Sequence, residues 1–367
     1  MMSRSRKLSM SHHHFEEEAE VKRYEITIKP RSGFGTPLKG DTLFGHFCWQ
    51  VANQPKLVEG GLEAALGVYS SEPFAVFSSA IPKFSGTPVR YILKRPDLPL
   101  HLLFRAAEKT DRALHFRELK NRKSKKWMIF EGDLPLCLDR MNFCNDHELA
   151  EFSYANAPEI IHRSMDMREH IDLCQRFDQP HNTINRLTGT TGKGAFAPYN
   201  TQNICYAAGT ELAIIVLLNN RWTDIERVVS AIADIGRFGF GRDASIGMGR
   251  FDIAGWEELT QTLPAKSEGV YTLAPCVPGE KEAVRRCRFS PFTRFGRHGD
   301  RLAVSINPFK TPVIMADEGA VFLPNPDMPF VKFYVGMGVT GVSKVQPTAV
   351  VQGYAPYLPI RLENKHE

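Results

Sequence analysis

The chain has 367 residues, 43% hydrophobic and 24% charged, with a formal net charge of +5. That length can bury a substantial core and suits two domains, and the composition excludes a disordered or fibrous chain. Seven scattered cysteines without a CxxC pair argue against a zinc ribbon or a disulfide framework and for reduced thiols in the cytoplasm, while no apolar run reaches transmembrane length.

Residues 1–20 pass from basic to acidic without periodicity or a signal-peptide core, and read as a disordered extension. In it His12, His13 and His14 are incidental rather than a metal site. Order is expected from "RYEITIKP" (23–30), where Tyr24, Ile26 and Ile28 alternate with polar residues as in a strand with one wet face. The glycine-rich turn "RSGFGTPLKG" (31–40) leads into a helix that Asp41 is expected to cap, with Phe44, Phe47, Cys48 and Val51 on one side. "FAVFSSAIPKF" (74–84) reads as a further strand.

Residues 85–180 are mixed and charged, and their elements are not assigned. Within them, Arg105 to Lys126 holds nine Lys/Arg against three Asp/Glu, which suits a solvated helix face or loop, or else contact with a polyanion. "NTINRLTGTTGKG" (182–194) has the composition of an exposed hairpin tip, and "ELAIIVLLN" (211–219) that of a strand at the centre of a sheet. A helix follows over "WTDIERVVSAIADIG" (222–236). Thr223 and Glu226 are expected to form its capping box, Ile225, Val228, Val229, Ile232 and Ile235 its apolar stripe, and Gly236 its left-handed C-cap.

Four glycines then crowd into "RFGFGRDASIGMGRF" (237–251), before a strand in which Phe251 and Ile253 alternate with Arg250 and Asp252. The order helix, glycine loop, strand is the reverse of the dinucleotide and P-loop fingerprints, and no GKS or GKT follows, which argues against a nucleotide cofactor. Two readings remain. The loop is a bulged connection without a ligand, or its backbone amides, Arg237, Arg242, Arg250 and Ser245 meet a sugar-phosphate chain.

Residues 21–255 thus follow a βαββαβ plan, the split arrangement of ferredoxin-like and RRM-like domains. "TLAPCVPGE" (272–280) reads as a linker into a second unit with strands expected at 287–293, 301–307, 330–337 and 357–362. Catalysis has one candidate. His46, with His181 as partner, could serve a metal-independent ribonuclease as general base or acid; alternatively it hydrogen-bonds the backbone, packs, or touches bound RNA. Paired carboxylates, metal-ligand spacing and a nucleophile elbow are not found.

"PLKGDTLFGHFCW" (37–49), "RFGFGRDASIGMGRF" (237–251) and "VQGYAPYLPIRL" (351–362) together resemble one family, the RAMP-type subunit that caps the crRNA 5′ end in type III-A CRISPR effectors, the Csm complexes. "HNTINRLTGTTGKGAF" (181–196) looks like that family's internal hairpin, and "LKNRKSKKWMIFEGD" (119–133) is similar to its basic segment. The resemblance implies an α+β fold of two ferredoxin-like (RRM-like) domains, with a protruding hairpin and a glycine-rich loop. Its boundaries here are a disordered extension over 1–20, a first domain over 21–255 and a second over 256–367. It further implies a cytoplasmic, non-catalytic subunit in antiviral defence. Such a subunit binds the crRNA 5′ tag and anchors the large polymerase-like subunit and the backbone RAMP subunit, with no membrane or small-molecule substrate; the alternative is a RAMP endoribonuclease processing precursor crRNA. The RNA-binding residues expected are Lys39, Gly40, His46, Asn182, Arg186, Arg237, Phe238, Gly239, Phe240, Gly241, Arg242, Ser245 and Arg250, with no catalytic residue, metal or cofactor.

Overall fold

The computed structural model describes residues 20–104, 112–132, 134–157, 172–261, 267–279, 284–325, 330 and 332–362. The expected N-terminal extension up to residue 19, and the first residues of the basic run (105–111), lie outside them. In chain order the first half comprises β1 (Val21–Pro30), α1 (Gly40–Asn53), α2 (Gly61–Val68), β2 (Ala75–Phe77), β3 (Ile81–Phe84), β4 (Arg90–Lys94), α3 (Leu100–Leu103), α4 (Arg112–Ser124), β5 (Trp127–Phe130), β6 (Leu136–Cys137), β7 (Asn142–Cys144) and α5 (Asp146–Ala155). Next come β8 (Cys174–His181), β9 (Tyr199–Tyr206), β10 (Glu211–Asn219), α6 (Ile225–Phe238) and β11 (Phe251–Glu258). The remainder is β12 (Gly269–Thr272), β13 (Val284–Arg288), β14 (Pro291–Arg294), β15 (Val313–Ala316), β16 (Val321–Pro324), β17 (Tyr334–Gly336) and β18 (Tyr354–Arg361).

The result is a mixed α+β chain of mainly antiparallel sheets. The larger sheet has the order β11-β1-β10-β3-β4-β5-β7, with β2 also on β10. As its apolar run requires, β10 is central, flanked by β1 on one side and by β2 and β3 on the other. The apolar stripes of α1 and α6 close one core over this sheet, in which Ile26, Ile28, Phe44, Phe47, Ile214, Val228 and Ile232 are all buried. The second face of β1 is buried as well. Glu25 and Thr27 lie in the interior, where the Lys83 ammonium and the Tyr91 hydroxyl donate to the Glu25 carboxylate at 2.6 and 2.7 Å, so the wet face expected there is covered.

Several local expectations give way to longer-range contacts. Asp41 is not the cap of α1. It sits in the first turn, with Lys39 at the cap position, and its buried carboxylate accepts two hydrogen bonds from Arg294. On α6 the N-cap is Asp224, whose side chain accepts from the Arg227 amide at 2.9 Å. Thr223 instead turns inward and donates to the Leu57 carbonyl at 2.8 Å. Gly236 lies inside that helix, where a Cβ would collide with the Phe251 carbonyl of β11, and the C-cap is Gly239 instead.

The second sheet has the order β13-β16-β12-β18-β17, and β6 from the first half adds to β18 as a parallel strand. No α-helix occurs in it among the described residues after 258. The stretch expected as a strand at 301–307 is a 3-10 turn over Asp300–Val304, and β12, β15 and β16 arise where no strand was read. Nor is "TLAPCVPGE" a free linker. Leu273, Ala274 and Cys276 are buried, and Cys276 bridges Ala316. The two halves share a seam at which the Gln352 amide closes on the backbone of Phe77 through both N–H and C=O, at 2.9 and 2.7 Å.

From residue 112 the basic run is a largely exposed helix, α4, and Arg95 donates to the Arg122 carbonyl in its last turn and to the Lys125 carbonyl just beyond it. β8 and β9 form a separate two-stranded ribbon with an exposed tip, tied to the body by the bridge between Phe34 and Ile204. Among the described residues no helix is long and apolar enough to cross a membrane.

Candidate nucleic-acid interface

Three turn-rich segments meet at one end of β1. The loop 239–250 leaves α6, the turn 31–37 leaves β1, and the base of the β8–β9 ribbon lies against both. Glycine permits the closeness. A Cβ on Gly33 would stand 3.1 Å from the Ile204 carbonyl oxygen, from the Met248 methyl and from the Phe177 ring. In the loop, Gly239, Gly241, Gly247 and Gly249 all have positive φ, as does Asp243 at 64°. That backbone strongly favours glycine.

The hydrogen bonds of the loop decide what it can offer. The Phe240 amide donates to the Gly249 carbonyl (2.9 Å), the Gly249 amide to Gly33 (2.7 Å), and the Gly239 amide to Ile235 (2.8 Å). The Gly241 amide donates to the His46 Nε2 (3.2 Å) and the Arg242 amide to the Thr36 hydroxyl (3.0 Å). The glycine amides that the sequence suggested for a phosphate chain are thus engaged within the protein. Among the described residues, the loop amides without such a bond are those of Asp243, Ala244 and Ser245, which open the 3-10 turn Ala244–Ile246.

The three arginines divide by role. Arg237 is widely exposed, pairs with Asp234 at 2.9 Å and lies over the ring of Phe238, itself 61% exposed. Arg242 fastens the loop to the ribbon, donating to the Gln202 carbonyl (2.7 Å) and the Asn203 side chain (2.8 Å), and leaves 43% of its side chain in solvent. Arg250 donates to the Arg237 carbonyl at 2.8 Å, a cation on the last turn of α6 where the helix dipole favours one. Ser245 is exposed, as are Asn182 and Arg186 at the ribbon tip.

Other expected site residues are held inside. Phe240 is fully buried in the core and stacks on His46 at 4.5 Å, so it cannot stack on a base. Gly40 is buried against the Phe77 carbonyl. Lys39 bridges Asp317 and Glu318 at 2.6 Å each and lies over the Phe292 ring, with 14% of its side chain exposed.

His46 is the bolt between α1 and the loop. Accepting from the Gly241 amide places the proton on Nδ1, and desolvation lowers its pKa to about 4. His181 stands apart from it, bonded to the Thr201 hydroxyl at 2.9 Å and stacked on Tyr199. The sign of the pH effect follows. A folded-state pKa below the unfolded value of about 6.5 means the unfolded chain binds the extra proton, so this contribution is complete above pH 6.5 and is lost as pH falls towards 4. His46→Phe should lose about 1 kcal/mol at pH 7.5, the worth of one hydrogen bond, yet show a flatter decline in thermal midpoint between pH 6.5 and 4.5 than the wild type. Parallel profiles would show that His46 does not carry the acid sensitivity.

Sequence reasoning missed Thr36, Gln202 and Asn203, which fix the loop, because nothing local marks them. The run 31–36, with its two glycines and Ser32, was the available signal, and the Ser32 hydroxyl accepts from the Arg250 amide at 2.9 Å.

No family model matches the sequence, and no curated protein matches it. A chain in the crystal structure of the Csm3–Csm4 subcomplex of the type III-A CRISPR-Cas interference complex is similar to it, with 13% identity, 93% of this chain and 99% of that one covered, and a TM-score of 0.55. A chain of the Csm1–Csm4 cassette with pppApA gives 16%, 94%, 99% and 0.48. One from the type III-B Cmr-beta complex bound to target RNA and AMPPnP gives 11%, 82%, 86% and 0.38. The first of these shows a shared fold along nearly the whole chain, and the resemblance read from the sequence holds at that level.

Proposed function

We propose that this chain is a non-catalytic RNA-binding subunit of a type III-A CRISPR-Cas (Csm) complex in antiviral defence. In this reading it grips the 5′ tag of the crRNA along the glycine loop and the ribbon, and anchors a large polymerase-like subunit and a backbone RAMP subunit. The observation that carries it is the convergence of the 31–37 turn, the 239–250 loop and the ribbon base into one surface. Around that surface Arg237, Phe238, Arg242 and Ser245 are exposed, as is Arg186 at the tip of the ribbon. Guanidinium groups and an aromatic face suit a single-stranded backbone and its bases. The strand order β11-β1-β10-β3 with two helical crossovers supports a ferredoxin-like first domain over 21–255. The fold shared with the Csm3–Csm4 structure supports the same partners.

Catalysis at His46 is disfavoured by its chemistry. A neutral imidazole whose Nε2 already accepts a backbone amide, with a pKa near 4, is a poor proton acceptor at neutral pH. The pure chain should therefore leave repeat RNA intact in EDTA or magnesium. A 2′-hydroxyl-dependent cut abolished in His46→Ala would overturn this.

Salt dependence tests the grip. Arg237→Ala and Arg186→Ala should each lower the slope of log Kd against log salt by about 0.7, the single-strand value per neutralised phosphate. Lys39→Ala should leave the slope unchanged, because its ammonium is tied to Asp317 and Glu318. If both arginine variants keep the wild-type slope, the surface does not contact phosphate.

A further inference from the structure

Away from the glycine loop, a cleft of about 550 Å³ opens between α1, α2 and the C-terminal segments 298–310 and 346–350. Its walls are apolar, with Trp49, Val51, Leu62, Leu66 and Leu302 among them, while Lys310, Arg301 and Glu63 supply its charges. Lys310 is the unusual member. Burial lowers its pKa against a weaker upward pull from the Asp41 carboxylate, which Arg294 already holds; its aliphatic stem packs on Gly296, and among the described residues no carboxylate lies within 4.0 Å of its ammonium. A half-buried ammonium with no carboxylate against it is a ready partner for an incoming anion.

Beside the cleft the chain exposes aliphatic side chains that no folded-state contact requires. Val304 is 90% exposed, and Ile306 stands wholly in solvent. Residues 297–310 around them carry Arg297, Arg301 and Lys310 against a single acid, Asp300, and Asp300 is already engaged by the Asn53 amide at 2.9 Å. Apolar surface flanked by an excess of positive charge suits a partner with acidic groups.

We propose that this cleft docks an acidic amphipathic helix of a partner protein. Its apolar side chains fill the space between Trp49, Leu62 and Leu302, one carboxylate meets Lys310, and its flank covers Val304 and Ile306. The observations favour this over the other occupants. A small amphiphilic anion would satisfy Lys310 but leave Val304 and Ile306 in water. Single-stranded RNA would seek aromatic faces; Phe295 and Phe309 expose theirs on the same segment, but they lie outside the cleft, whose apolar lining is Trp49 and mainly aliphatic side chains. The proposal does not depend on the RNA reading of the glycine loop.

The test places the photo-crosslinker p-benzoylphenylalanine at Ile306 in the full chain, within the complex it assembles into, and sequences the adduct. The expected adduct is one protein segment with excess Asp and Glu and apolar residues at i, i+3, i+4 and i+7. A synthetic peptide of that segment should bind the full chain with a blue shift in emission that Trp49→Phe abolishes. Lys310→Met, which keeps the packing stem, and Ile306→Asp should each weaken that binding at least tenfold while RNA retention stays at the wild-type level. An adduct to RNA, to a basic segment, or to nothing would overturn the proposal. So would unaltered peptide binding in Lys310→Met, or a decanoate-induced shift equal to the peptide's and indifferent to Ile306→Asp.

Discussion

Asp41→Ala should destabilise the protein by about 3–5 kcal/mol, the range for removing one partner of a buried ion pair. The Asp41 carboxylate is 2% exposed and Arg294, at 19%, grips it with two parallel hydrogen bonds, one of them 2.8 Å long. Without the acid, the guanidinium remains at the base of α1, over the Phe292 ring, with no anion to meet it. The pair joins elements more than two hundred residues apart, so its loss should also loosen the seam between the two halves. Urea titration of Asp41→Ala, Arg294→Met and the double variant Asp41→Leu/Arg294→Met separates pairing from packing. The double variant should recover most of the loss, because an apolar pair leaves no charge stranded. If Asp41→Ala unfolds within 1 kcal/mol of the wild type, the seam rests instead on Lys39, Asp317 and Glu318.

The second large effect is expected at Gly249. Its φ of +74° imposes roughly 1–2 kcal/mol on any L side chain, and overpacking commonly adds about 1–3 more. Here a Cβ would fall on the backbone of Phe240, with no flexible atom to yield. Gly249→Ala should therefore lose about 3 kcal/mol and detach the loop from Gly33. Gly247→Ala is the control. It has a φ of +96° but nothing within 4 Å, so strain alone, about 1 kcal/mol, should register. Equal losses in the two variants would mean that the close approach at Gly249 relaxes at no cost.

The sequence was readable where the signal is periodic and local. β10 declared itself as a run with no polar face, α6 by its stripe of Ile and Val, and the ribbon tip by its Gly, Thr and Asn content. The glycine loop was readable as unusual backbone, but its purpose was not. Whether a glycine amide faces a ligand or a carbonyl depends on Gly33, Thr36 and His46, which reach the loop only through the fold. The same limit misassigned Asp41 and Thr223. Each carries the right chemistry for a cap, and each found a better partner far along the chain, Arg294 in one case and the Leu57 carbonyl in the other. Lys39 looked like a phosphate ligand for want of any local hint of Asp317 and Glu318. Phe240, read as part of the contact set, sits within a run of glycines that gives no sign of burial.

One pairing has a consequence for how the molecule is made. Among the described residues the short strand β6 finds its partner strand in β18, along which Leu136 and Cys137 align with Ile360 and Arg361. During synthesis, Leu136 leaves the ribosome long before Ile360 exists. The segment carrying it must wait with its hydrogen-bonding edge unpaired while the intervening chain is translated. The first half can close its helices over β1 and β10 early, yet this stitch is tied only at the finish. A ribosome stalled before β18 would release a nascent chain with an open seam, one that quality-control proteases could tell from a finished subunit.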